Sequence, residues 1–218
     1  MRKVSTFRFA VALLATVATT GAAYAASPNI LISEFRTRGP NGGSDEFVEI
    51  WNNSAATVNI GSYTLRASNS AGTTGVRATV PVGTLLGPGC HYLFTNNSAT
   101  GGPYSGAVPG NVTYATGIAD DGGIAILNAA AVILDQAGMS AGSTYKEGTV
   151  LAQTMTNLNQ SYERKPGGGS GNSLDTDNNL NDFLYHNASS DPQNASSTCL
   201  AATPTLSQTW GRLKSIYR

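Results

Sequence analysis

Residues 44–52 read Ser-Asp-Glu-Phe-Val-Glu-Ile-Trp-Asn, with acidic and apolar side chains in alternation. In an extended chain Asp45, Phe47, Glu49 and Trp51 share one side, and Glu46, Val48 and Ile50 the other. A period of two carried by β-branched and aromatic residues makes a strand rather than a helix. Asn52, Asn53 and Ser54 close it with turn formers. A chain with this stretch near its start is committed to a sheet, and the rest must supply strands to pair with it.

The flanking sequence does so. Residues 29–37 are apolar in both phases, which predicts a strand buried on both sides; 38–44 is a Gly/Pro/Asn loop. Further strands are expected over 63–67, 76–80, 90–95, 112–116, 124–127, 132–135 and 159–164. Residues 83–89 read as a tight connection, and 96–110 as the longest loop, a place where surface function can sit. The runs 124–127 and 132–135, separated by a short turn, form a β-hairpin. Short strands with turn signals between them and no helical period predict an all-β fold, an antiparallel sandwich or barrel.

The ends read differently. Arg2, Lys3 and Arg8 precede a short apolar run at 9–17, and Ala23-Tyr24-Ala25 is an A-x-A cleavage pattern. Residues 1–25 are thus expected to be a signal peptide, cut near Ala25, with the mature chain secreted, periplasmic or at the cell surface. No later stretch has the roughly 20 apolar residues of a transmembrane helix. Removing 1–25 takes away three basic residues and no acidic one, so the formal charge becomes 10 − 13 = −3. A surface that neutralises phosphates needs a basic excess, so nucleic acid is disfavoured as a partner.

Residues 26–190 are expected to form the sandwich domain, 191–205 a linker, and 206–218 a short C-terminal helix or tag. Leu206, Trp210, Leu213 and Tyr217 fall at steps of four, three and four, one face of a helix, with Arg212, Lys214 and Arg218 around it. The tail is read either as a plain docking helix or as a tag for export or attachment.

The two cysteines, Cys90 and Cys199, form an even count in an oxidising compartment, which favours a disulfide; two unrelated thiols are the alternative. Asp175, Asp177, Asn179 and Asp182 offer oxygen ligands at a spacing that suits calcium. The match to an EF-hand loop fails, because Leu180 stands where Gly is required and His186 where the bidentate Glu would be. A turn capped by these side chains is the alternative to a loose Ca²⁺ site. His91 and His186 are the two imidazoles. No HExxH, GxSxG or Walker pattern occurs, so no catalytic residue and no organic cofactor is assigned.

ILISEF at 30–35, the Gly-rich loop, DEFVEIWNNS at 45–54 and IGSYTL at 60–65 together resemble the lamin tail domain of exported bacterial proteins. GIAILNAAAVILDQAG at 123–138 is similar to that domain's closing hairpin, and SYERKP at 161–166 with DTDNNLNDF at 175–183 to its ending. The resemblance implies an immunoglobulin-like β-sandwich acting as a binding or structural module, with Glu34, Glu46, Glu49 and Asn52 in its core motif. The three glutamates are expected to be structural, hydrogen-bonding backbone or pairing with Arg36, Arg38 or Arg164 rather than ligating a cation. The function expected is non-enzymatic, with an extracellular or envelope protein or polysaccharide as partner. The alternatives are an accessory to a secreted hydrolase or nuclease, and a weak nucleic-acid binder.

Overall fold

In a computed structural model of the protein, residues 29–200 are described. The signal segment and the 206–218 helix expected above lie outside them. The described chain contains strands β1 (Ile30–Arg36), β2 (Phe47–Asn52), β3 (Val58–Asn59), β4 (Thr64–Ser68), β5 (Thr74–Thr79), β6 (Leu85–Leu86) and β7 (His91–Asn96). These are followed by β8 (Val112–Tyr114), β9 (Gly123–Leu127), β10 (Ile133–Gly138), β11 (Ser161–Arg164), the single helical turn α1 (Asn179–Asp182) and β12 (Phe183–His186).

A six-stranded sheet in the order β12-β11-β1-β2-β7-β8 faces a four-stranded sheet in the order β10-β9-β4-β5, and β3 and β6 form a small third ribbon. Ile30, Ile32, Phe35, Val48, Ile50, Tyr92 and Phe94 of the larger sheet share one core with Leu65, Ala67, Ile124 and Ile126 of the smaller. The alternation at 45–52 works as read: Val48 and Ile50 enter the sandwich. The opposite phase, Phe47, Glu49 and Trp51, is buried too. The outer face of the large sheet is covered by the 97–111 loop and by residues 187–200.

Four details depart from the sequence reading. Residues 83–89 are more than a connection, since Leu85 and Leu86 pair with β3; a two-residue strand is too short to show a period. β8 joins β7 in parallel, an exception to the antiparallel pattern. Parallel neighbours need a long crossover, which the 97–111 loop provides. The apolar residues after the acidic turn form β12, whose register is set by pairing with β11 rather than by its own sequence. Residues 191–200, expected as the start of a linker, lie against the sheet and are fastened there.

The sheets are also joined by charge. Arg164 on β11 is fully buried and donates through Nη2 to both oxygens of Asp135 on β10, at 2.8 and 2.6 Å. Its Nε donates to Ile32 O and its Nη1 to Leu174 O, each at 2.8 Å, and its guanidinium lies 4.5 Å from the Phe183 ring centroid. Asp135 also accepts from Ile32 N at 2.6 Å. Such a pair is tolerated in a core because the guanidinium and the carboxylate each make several further hydrogen bonds, and Asp182 Oδ2 lies 3.8 Å from Arg164 Nη1.

Candidate functional site

Pairing of β11, β1 and β2 places Glu163 opposite Glu34 and Glu34 opposite Glu49, so three carboxylates stand side by side on the outer face. A bulge between Ile32 and Glu34 puts an extra residue, Ser33, into the ladder. Ser33 Oγ donates to Glu49 Oε1 at 2.5 Å, and His91 Nδ1 lies 2.7 Å from the same oxygen. His186 Nε2 is 2.9 Å from Glu163 Oε2 at the other end of the row. Glu34, in the middle, is 3% exposed. Burial holds its carboxyl well above the usual range, and the charges of Glu49, Asp191 and Glu163 add to this while the Ser161 hydroxyl opposes it.

The 97–111 loop closes one side. Tyr104 packs edge-on against Phe47 with ring centroids 5.9 Å apart, and the Arg36 guanidinium lies 5.2 Å from the Phe47 ring and 5.5 Å from that of Tyr104. Burial pushes the Tyr104 hydroxyl up to about 12. Arg36 pairs with Asp45.

Residues 187–200 close the other side. Asp191 N donates to Glu34 Oε1 at 3.4 Å, and Gln193 N donates to Glu49 Oε2. Arg36 Nη1 reaches Ser190 Oγ at 3.3 Å, and Ser190 Oγ donates to Asn159 Oδ1 at 2.6 Å. Asn194 Nδ2 donates to Pro109 O at 2.9 Å and Ala195 N to Asn111 Oδ1 at 3.0 Å, which ties the segment to the loop. The Cys90–Cys199 disulfide then fastens it, and Leu200 N donates to Gly89 O at 2.9 Å. Between this segment and the loop lies an open cavity of about 800 Å³, lined among others by Ser105, Val108, Asn159, Asp191, Pro192 and Gln193.

The remaining motif residues face elsewhere. Glu46 lies on the sandwich side, accepting from Asn96 Nδ2 at 2.9 Å and Ile118 N at 2.8 Å. Burial pushes it up to about 7 against those two bonds. Asn52 Nδ2 donates to Ala56 O, Leu86 O and Gly87 O at 2.8–3.0 Å while its Oδ1 accepts from Ser54, so it closes the turn after β2 and anchors β6. None of Glu34, Glu46 and Glu49 pairs with an arginine. Arg36, Arg38 and Arg164 take Asp45, Asp120 and Asp135 instead, because the aspartates lie where those side chains end.

Of the four residues expected to offer calcium ligands, two come together. Asp175 and Asp182 converge with Glu147, their ligand atoms within 4.8 Å of one another. Asn179 is spent inside the fold: its Oδ1 accepts from Gly138 N and Glu147 N, both at 2.9 Å, and its Nδ2 donates to Gln136 O at 3.0 Å. Asp177 sits at a φ of 54° and donates its N–H to Asp175 Oδ1 at 3.3 Å. Asp182 accepts from Thr176 Oγ1 at 2.6 Å and Asn178 N at 3.2 Å, capping its own turn. Burial, then the charges of Asp135 and Asp175, push the Glu147 carboxyl up to about 9. Glu147 was missed because it lies in a loop remote in sequence from the Asp-rich turn.

A model of the family described as Lamin Tail Domain matches residues 23–161. The chain belongs to the lamin tail domain family. The match ends at the start of β11, so the acidic turn, β12 and the segment over the carboxylate row lie outside it. Comparison with curated proteins found none that matches. As a lamin tail domain the chain has the expected β-sandwich, and its family is one of non-enzymatic immunoglobulin-like modules. Among the described residues no helix is long and apolar enough to cross a membrane.

Proposed function

We propose that this lamin tail domain is exported, loses residues 1–25, and acts as a non-catalytic binding module toward an envelope or extracellular protein or polysaccharide. The observation that carries this reading is the wiring of Glu49. Ser33 Oγ and His91 Nδ1 both bond the same carboxylate oxygen. A hydrolytic relay needs the hydroxyl on one imidazole nitrogen and the carboxylate on the other. Here serine and histidine share an acceptor, which supports an orienting role rather than a relay. The disulfide fits an oxidising compartment, and the mature charge of −3 suits a protein or sugar partner better than a polyanion.

The test is paired. Purified oxidised protein is assayed for peptidase and nuclease turnover, and for co-sedimentation with isolated envelope protein and polysaccharide fractions. Retention by one fraction without turnover is expected. Turnover that disappears in Glu49→Gln would overturn the reading.

A further inference from the structure

The segment over the carboxylate row is held in an unusual way. Between residues 187 and 200 only Pro192 and Asn194 are buried, whereas every residue of β1, β2 and β7 beneath them is. Little apolar surface therefore holds it down. What holds it is directional: backbone N–H groups of Asp191 and Gln193 on the carboxylates of Glu34 and Glu49, the Ser190 hydroxyl on Arg36 and Asn159, and two amide contacts with the 97–111 loop. Each such contact contributes modestly when water can replace it. β12 tethers the segment at one end and the disulfide at the other. Cys199 is exposed and Cys90 is half-buried.

This is the way a peptide sits on a preformed groove: main-chain donors on fixed acceptors, a proline seated, polar side chains at the rim, and a turn at 194–197 where Ser197 N donates to Asn194 O. The cavity beside it shows that the segment does not fill the space between sheet and loop. We propose that the outer face of the six-stranded sheet is a peptide-binding groove, occupied in cis by residues 187–200 and latched shut by Cys90–Cys199. Its partner is a peptide segment rich in Ser, Asn and Pro and without basic residues, like the cis occupant. This deepens the binding-module reading by naming the partner's chemistry and the control on access.

Opening needs a dithiol. One thiolate attacks the exposed Cys199 sulfur and Cys90 leaves as a thiolate that takes a proton. The second thiol of the reagent then attacks the mixed disulfide, freeing Cys199 as a thiol and leaving the reagent as its own disulfide. Two electrons pass to the protein's sulfurs.

Two measurements on the full chain test the proposal. In the first, amide exchange is followed before and after treatment with dithiothreitol and capping with iodoacetamide. Exchange in 187–200 should rise at least tenfold and reach the rate of an unstructured segment, while β1, β2 and β7 stay protected. An unchanged segment, or loss of protection across all strands, would overturn the latch; the second result would make the disulfide a staple of the whole fold.

In the second, residues 189–194 are replaced by a Gly/Ser stretch of equal length in a C90S/C199S background, and a fluorescein-labelled peptide spanning 187–198 is titrated against it. Binding at least tenfold tighter than to the oxidised wild-type chain is expected. Equal binding, no binding, or a variant that does not fold would overturn the groove. Neither measurement depends on the natural envelope partner, so failure here leaves the co-sedimentation test standing, and the reverse.

Discussion

Glu147 decides how this protein responds to pH. Its folded carboxyl titrates at about 9, far above the ordinary range of a glutamate, so at neutral pH the fold binds a proton that the unfolded chain releases. A group shifted upward stabilises the fold fully below the unfolded pKa, and that advantage is lost as pH rises toward the folded value. Glu46, raised to about 7, and Glu34, raised well above normal, have the same sign. The melting temperature should therefore fall from about pH 5 to about pH 9. Glu147→Gln, which keeps the hydrogen-bonding shape without the charge, should flatten the upper part of that fall and stabilise by roughly 1–3 kcal/mol at pH 8. Thermal melts across that range check this. The same variant separates proton from cation: millimolar Ca²⁺ should leave the wild-type melt unchanged. A rise that vanishes in Glu147→Gln would establish a calcium site instead.

Among the elements, β11 is the one most dependent on a partner it does not touch along the chain. Arg164 reaches through the sandwich to Asp135 on β10, and Asp135 has no other cation at comparable distance among the described residues. Arg164→Leu leaves Asp135, and also the buried Asp182 3.8 Å from Arg164 Nη1, without a counter-charge and should cost about 3–5 kcal/mol. The double change D135L/R164L removes the closer pair and should recover part of that loss, Asp182 still lacking its cation, read from denaturant midpoints. A double variant no better than the single one would mean that the bonds of Arg164 to Ile32 O and Leu174 O matter more than the pair.

β2 was legible because Val48 and Ile50 keep strict phase against Phe47, Glu49 and Trp51. β6 and β12 were not, because pairs and quartets of residues show no period and their register comes from neighbours. The carboxylate row shows the same limit. Glu34 and Glu49 stood out in the motif, but that Glu163 aligns with them is a fact of strand order, which no local pattern encodes. Glu147 beside Asp175 is a loop packing of the same kind.

At the scale of the whole molecule, a formal charge of zero for the full chain, or −3 after the proposed removal of residues 1–25, and the carboxylates of the outer face give duplex DNA little to hold. No retardation of a labelled duplex is expected even at low ionic strength, and a shift that weakens with added salt would count against the binding mode proposed. Loss of the disulfide should act on the whole chain as well as on the segment above the row. Closing a loop across a sequence separation of 109 removes unfolded-state entropy worth roughly 4–5 kcal/mol in the chain-entropy model, so the reduced protein should melt lower while staying folded at room temperature.

That separation also has a bearing on maturation. Under the proposed export Cys90 emerges before Cys199, and strands β7–β12 lie between them in the chain. The cover can be sealed only once the strands beneath it have been made, which makes oxidation a late step of maturation and leaves an earlier window in which the face stands open to whatever meets the unsealed chain.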